Sequence, residues 1–145
     1  MNRTLAITLT VVGLLTALIV AVIGGLLATK PSIAERRERG QAALTQACEA
    51  IPNVTIERCL YSLPGSLVGT TISVTLRTDG DSPAEVNQAL TDAFKSVVSS
   101  ARASDTPSRA GVHVTVIDSG GTVFGPGDVG LSATPVVAEV EKRFG

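Results

Sequence analysis

The sequence predicts an α+β fold: one N-terminal membrane helix, then a small two-layer α/β sandwich. Three observations predict it. An apolar run opens the chain, two later segments alternate apolar and polar residues, and two others repeat apolar residues at helical spacing. The expected order after the anchor is α-β-β-α-β-α, with a mostly antiparallel sheet and the helices on one face. The corresponding division is 1–30 for the anchor, 31–50 for a juxtamembrane amphipathic helix, and 51–145 for the α+β domain.

The anchor comes first. Leu5 to Ala28 holds no charged residue. As a helix it would be about 36 Å long, enough to cross a hydrocarbon layer of about 30 Å. A cleaved signal peptide has a shorter apolar core, about 7–15 residues, and ends in a small-x-small site. Leu26-Leu27-Ala28 puts Leu where a small residue is needed, so a retained single-pass signal-anchor is expected. Gly13, Ala17, Ala21 and Gly25 recur every four residues on one helix face. Small residues at that spacing let two membrane helices pack closely, which makes this face the expected route to a homodimer.

Two signals on orientation conflict. Lys30, Arg36, Arg37 and Arg39 follow the anchor, whereas Arg3 and the terminal amine precede it. That count favours a cytoplasmic domain. Against it, Cys48 and Cys59 are the two cysteines of the chain. Their disulfide would stabilise the domain by about 3 kcal/mol in the chain-entropy model, and disulfides persist outside the cytoplasm. The reading adopted is an extracytoplasmic domain on a bacterial envelope, in keeping with an Arg-rich, Lys-poor usage typical of GC-rich bacteria.

The domain elements follow in order. Lys30-Pro31-Ser32 breaks the chain, and Ser32 is placed to cap a helix. From Ile33 to about Ala50 the pattern is helical. Glu35 to Arg39 is charged all round and is expected to stand in water near the headgroups, while Leu44, Ala47, Cys48 and Ile51 form a core stripe. Val54 to Ser62 reads as a strand with Val54, Ile56 and Leu60 apolar and Arg58 interrupting the alternation. Leu63 to Ser66 is a turn, and Leu67 to Thr78 is a strand whose Ile72, Val74 and Leu76 face inward. Ser82-Pro83-Ala84-Glu85 carries a capping box and opens a helix to about Ala101. Val86, Ala89, Leu90, Ala93, Phe94, Val97 and Ala101 share its inner face. Val112, Val114 and Val116 mark a third strand ending at Asp118. Ser119 to Gly130 is a glycine-rich, flexible surface loop, with Thr122-Val123-Phe124 as a short added strand. Thr134-Pro135 opens a last helix with Val137, Val140 and Phe144 inward.

The rhythm of Ile51 to Asp118 (a helix ending near a Pro, two strands, a helix, a strand) resembles the bacterial alkaline-shock family. The resemblance is one of element order, implies no site residue, and implies a cytoplasmic domain at odds with a disulfide. A membrane helix followed by an amphipathic helix and a sheet is similar in architecture to a type IV pilin, but Met1-Asn2-Arg3-Thr4 lacks the Gly cleavage point and the acidic fifth residue of pilins.

Chemistry is sparse. The formal net charge is −1 and aromatics make up 3%, so neither a phosphate-gripping field nor base-stacking platforms exist, and no nucleic-acid partner is expected. One His and two Cys are too few for a closed zinc site. His113 is expected on the wet face of its strand. Ser132 and Cys59 lack nucleophile signatures. Asp79 with Asp81, and Asp118 with Asp128, flank glycines in the manner of turns and lack calcium-loop spacing. Gly125-Pro126-Gly127-Asp128-Val129-Gly130 fits a dinucleotide pattern by chance: Pro126 removes a donor and no acid follows at the required distance. No catalytic residue, cofactor or metal is therefore expected. The leading expectation is a membrane-anchored, non-enzymatic interaction or scaffolding domain with a protein partner and the lipid bilayer. The alternatives are a cytoplasmic tether, and a small enzyme or ligand binder using His113 with the Gly120–Gly130 loop.

Overall fold

A computed structural model describes residues 30–65 and 69–145. Ile33–Gly145 form one compact unit. Its elements are α1 (Ile33–Glu49), β1 (Val54–Ser62), β2 (Thr71–Thr78), α2 (Pro83–Ala103), β3 (Gly111–Ile117), β4 (Val123–Phe124), a 3-10 turn (Pro126–Val129) and α3 (Val137–Phe144). The anchor expected at Leu5–Ala28 and the start expected for β2 at Leu67 lie outside the described residues. Among the described residues no helix is long and apolar enough to cross a membrane.

The four strands lie in chain order, β1-β2-β3-β4. The pairs β1–β2 and β3–β4 are antiparallel, and β2–β3 is parallel. The sheet is thus mixed: α2 carries the chain back so that β3 runs beside β2 in the same direction. Inward residues of the strands, Ile72, Val74, Leu76, Val112, Val114 and Val116, share one core with Leu44 of α1, Phe94 of α2 and Val140 of α3. All three helices therefore line one face of the sheet, and the domain is an α+β sandwich of two layers.

α2 is the centre of the helix layer. Ser82 Oγ accepts from the Glu85 N–H while the Glu85 carboxylate accepts from the Ser82 N–H, the expected capping box. Every residue expected on its inner face is buried, and Ser96, Val98 and Ser100 are buried as well. They widen the dry stripe because α1 packs along α2 on one flank and α3 on the other.

β1 departs from the expected alternation. Ile56 pairs with Leu76, but Arg58 pairs with Thr75, so Glu57 is an extra residue in a β-bulge. A bulge shifts the side-chain phase by one. Cys59 and Tyr61 consequently turn toward the helices, and Leu60 is 50% exposed instead of facing the core. Arg58 interrupts the alternation in the sequence because it sits just past this insertion.

Two boundaries also move. Pro135 does not open the last helix: its carbonyl accepts from the Val112 N–H, Val136 bridges Gly111, and α3 starts at Val137. The start of β3 would otherwise present unpaired backbone at the sheet edge, and residues 135–136 cover it. Phe144, at the other end of α3, stacks on Phe94 with ring centroids 5.2 Å apart.

Candidate functional site

Among the described residues, no helix covers the face of the sheet opposite the core. The registers place Leu60, Ser73 and His113 in one row across β1, β2 and β3, and Arg58, Thr75 and Thr115 in the next. Arg77 and Ile117 continue it, with the Arg77 guanidinium 2.8 Å from the Glu57 carboxylate. Val123 of β4, 65% exposed, closes one edge. Among the described residues this surface is rich in Ser and Thr hydroxyls and methyl groups and carries no Phe, Tyr or Trp.

His113 is exposed at the centre of that face, as expected. Cys59 pairs with Val74 and points to the opposite face, so the sheet itself separates this thiol from the imidazole. Ser132 is held elsewhere. Its hydroxyl donates to Glu139 Oε2 at 2.7 Å and its N–H to Glu139 Oε1 at 2.6 Å. These two bonds hold the Glu139 carboxyl below the usual glutamate range.

The glycine-rich segment is built, and its acids are structural. Asp118 Oδ1 accepts from the Thr122 N–H and closes the β3–β4 turn. Asp128 Oδ2 accepts from the Gly125 N–H at the start of the 3-10 turn. Gly125–Gly130 therefore makes a short turn where a dinucleotide fingerprint would open a long helix. A hollow of about 320 Å³ lies elsewhere, between the α1–β1 turn, the end of β2 and the start of α2, lined by Asn53, Thr78, Asp79, Glu85 and Asp92. Two of its three carboxylates are occupied: Glu85 by Ser82, and Asp92 by Gln88 at 2.9 Å and Lys95 at 3.7 Å. Among the described residues no group of three or more His, Cys, Asp or Glu is arranged to hold a metal ion.

The structure does bring Cys48 and Cys59 together. The bulge turns Cys59 inward from β1, and the helical stripe points Cys48 out of α1. Their sulfurs are 2.9 Å apart and present as two thiols, whereas a disulfide would be about 2.05 Å long. Cys48 is 0% exposed and Cys59 is half-buried. Burial, with Cys59 beside it, pushes the Cys48 thiol far above the usual cysteine range. Burial also raises Cys59, against hydrogen bonds with Cys48 and Thr45.

Several residues of α1 emerge as structural pins. Arg36 Nε donates to the Ser104 carbonyl at 3.0 Å and Arg36 Nη2 to that of Asp105, at the C-terminus of α2. Arg37 donates twice to the Leu63 carbonyl. These side chains hold the domain together, in place of the all-round water contact expected for Glu35–Arg39. Gln41 occupies the free edge of β1: its Nε2 donates to the Cys59 carbonyl at 3.0 Å and its Oε1 accepts from the Tyr61 N–H at 2.9 Å. One side-chain amide thus stands in for the peptide group of a neighbouring strand and blunts the edge. The sequence signal for this close approach was Gly40, a glycine inside a helical pattern.

No protein-family model, curated protein or solved structure matches this chain. The packing residues expected on the anchor, Gly13, Ala17, Ala21 and Gly25, lie outside the described residues.

Proposed function

We propose that the chain is a single-pass, membrane-anchored interaction module of the bacterial envelope, non-enzymatic, with Ile33–Gly145 on the extracytoplasmic side. The observation that carries the reading is the one-sided layering: every described helix lies on one face of the sheet, and no described helix covers the other. Ser73, Thr75, Thr115 and His113 offer short hydroxyls and one imidazole there. Such a surface suits a flat protein partner better than a small molecule, which is usually held in a concave site. The uncharged run Leu5–Ala28 supports the anchor, and its small-residue face supports self-association in the membrane. The adjacent thiols support a Cys48–Cys59 disulfide, which suits an oxidising compartment.

A photo-crosslinking side chain at Ser73 or Thr75 tests the surface, with Asn87 on the exposed side of α2 as control. A discrete adduct from Ser73 or Thr75 that is absent from Asn87 and lost on Thr115→Lys is expected. Equal adducts from both faces would refute the reading. For sidedness, Cys48 is a poor reporter because it is fully buried on either side of the membrane. Val123→Cys in a Cys48→Ser, Cys59→Ser background is exposed and reacts with an impermeant maleimide in intact cells if the domain is outside.

A second reading is favoured by one observation, the four basic residues Lys30, Arg36, Arg37 and Arg39 after the anchor. It makes the same domain a cytoplasmic tether. Protection of Val123→Cys until the membrane is opened would select it.

A further inference from the structure

We infer that Cys48 and Cys59 form a thiol–disulfide exchange site with a fixed order of attack: Cys59 meets an external disulfide, Cys48 resolves it, and the new bond ties α1 to β1. The two sulfurs come from different elements and lie 2.9 Å apart, so the resolving step needs no movement of helix or strand. Their accessibilities differ in a way that sets the order. Cys48 lies in the core with Leu44 and Phe94, at 0% exposure, while Cys59 stands at the margin of that core. An external reagent meets Cys59 first.

The co-reactant is a disulfide, RSSR, from a small thiol or a protein thiol oxidant. The Cys59 thiolate attacks one sulfur of RSSR, forming Cys59–S–S–R and releasing RS⁻, which takes up the proton lost by Cys59. Cys48 Sγ, buried as a thiol, then attacks Cys59 Sγ as it gives up its proton, forming the Cys48–Cys59 bond, and the second RS⁻ leaves and takes up that proton. Two thiols are oxidised to one disulfide, and one RSSR is reduced to two RSH. The bond joins the last turns of α1 to the strand whose edge Gln41 covers. Oxidation therefore fixes the residues that keep the β1 edge closed. The inference rests on the extracytoplasmic reading only for the natural source of RSSR.

The test uses the reduced full chain in detergent micelles, with glutathione disulfide as the probe and intact-mass readout. The wild type is expected to lose two hydrogens and keep no glutathione. Cys48→Ser is expected to accumulate one glutathione at Cys59, because its resolving thiol is gone. Cys59→Ser is expected to react at least tenfold more slowly while folded. Equal uptake by the two variants, a lasting adduct on the wild type, or two persistent free thiols would overturn the inference. Should either variant fail to fold, the wild type decides alone: in native buffer N-ethylmaleimide labels the Cys59 peptide first and the Cys48 peptide only in denaturant. Labelling of Cys48 first would also overturn it. Sidedness is read separately by Val123→Cys in cells, so the chemistry and the location can fail independently.

Discussion

Replacing Gly40 by Ala is expected to destabilise the domain, although the same change in an exposed helix would stabilise it by about 1 kcal/mol. A Cβ built on Gly40 would lie 2.8 Å from Cδ1, Cε1 and Cζ of Tyr61. Carbon atoms pack at about 3.5–4.0 Å, so the ring must retreat by roughly 0.7 Å or α1 must rise by as much. Neither is free to do so. Tyr61 is 2% exposed, and its hydroxyl is bonded to Thr106 Oγ1 at 2.8 Å, which is bonded in turn to Ser104 Oγ at 2.7 Å. The Gly40 carbonyl accepts from Ser100 Oγ at 2.7 Å in the core. Overpacking of this kind costs about 1–3 kcal/mol. With a cost near the upper end, subtracting the propensity gain leaves a net loss of about 1–2 kcal/mol, or a midpoint lower by roughly 5–10 °C for a domain of this size. Tyr61 is the one tyrosine and the chain has no tryptophan, so intrinsic fluorescence during thermal unfolding reports on this contact. Circular dichroism then follows a cycle with Tyr61→Leu, in which Gly40→Ala should become neutral or stabilising. A Gly40→Ala protein as stable as the wild type, or an equal loss in the Tyr61→Leu background, would refute the reasoning.

Other outcomes follow from the same packing. Gln41→Ala leaves the Cys59 carbonyl and Tyr61 N–H without their partner, costs about 1–3 kcal/mol, and frees a strand edge; urea unfolding reads the first effect and sedimentation at rising concentration reads the second. Arg36→Ala removes the bonds that finish α2 and is expected to cost about 1 kcal/mol, discounted for partial solvent screening. Arg39→Ala, at an exposed position, should stay within about 0.5 kcal/mol in the same assay. Hydrogen bonds from Ser82 hold the Glu85 carboxyl below the usual glutamate range, as those from Ser132 do for Glu139. Because their folded values lie below the unfolded one, both groups contribute stability above about pH 4.3, and that contribution is lost as pH falls through the folded values. Carboxyl NMR titration should show Glu85 and Glu139 titrating low, with Ser82→Ala returning Glu85 toward the ordinary value.

Local chemistry was legible where one element decides its own fate. The capping box at Ser82 and Glu85 and the valines of β3 need no tertiary partner to be recognised, and both appear where the sequence put them. β1 shows the opposite case. Whether Cys59 or Leu60 faces the core depends on one extra residue at Glu57, and a bulge has no signature in a strand of Thr, Glu and Arg. Pro135 misled for a related reason. A proline before an apolar stripe fits the first helical turn, but it equally fits an edge segment that needs a carbonyl and no N–H. The thiols could be named from the sequence because there are two, yet their contact depends on that same bulge. The face opposite the core followed from the alternation of β2 and β3, whereas Gln41 and Gly40 could be assigned only once α1 was seen against β1.

The braces of α1 also bear on the side that the domain would occupy under the proposed anchor. Four basic residues follow Leu5–Ala28, and for a membrane anchor there they would, taken alone, favour the cytoplasm. Two of them have another purpose: Arg36 is bonded to the carbonyls of Ser104 and Asp105, and Arg37 to that of Leu63. Guanidinium groups suit this task because one planar head can satisfy more than one acceptor. Insertion reads charge before the domain folds, so the bonds do not remove these arginines from the count. They remove the need for orientation to explain why the arginines are there. What remains without such a structural reason is Lys30 and Arg39, against Arg3 and the terminal amine on the other side of Leu5–Ala28. The insertion count still stands at those four basic residues against Arg3 and the terminal amine, and the adjacent thiols pull the other way, so a labelled cysteine at Val123 is the measurement that separates the two orientations.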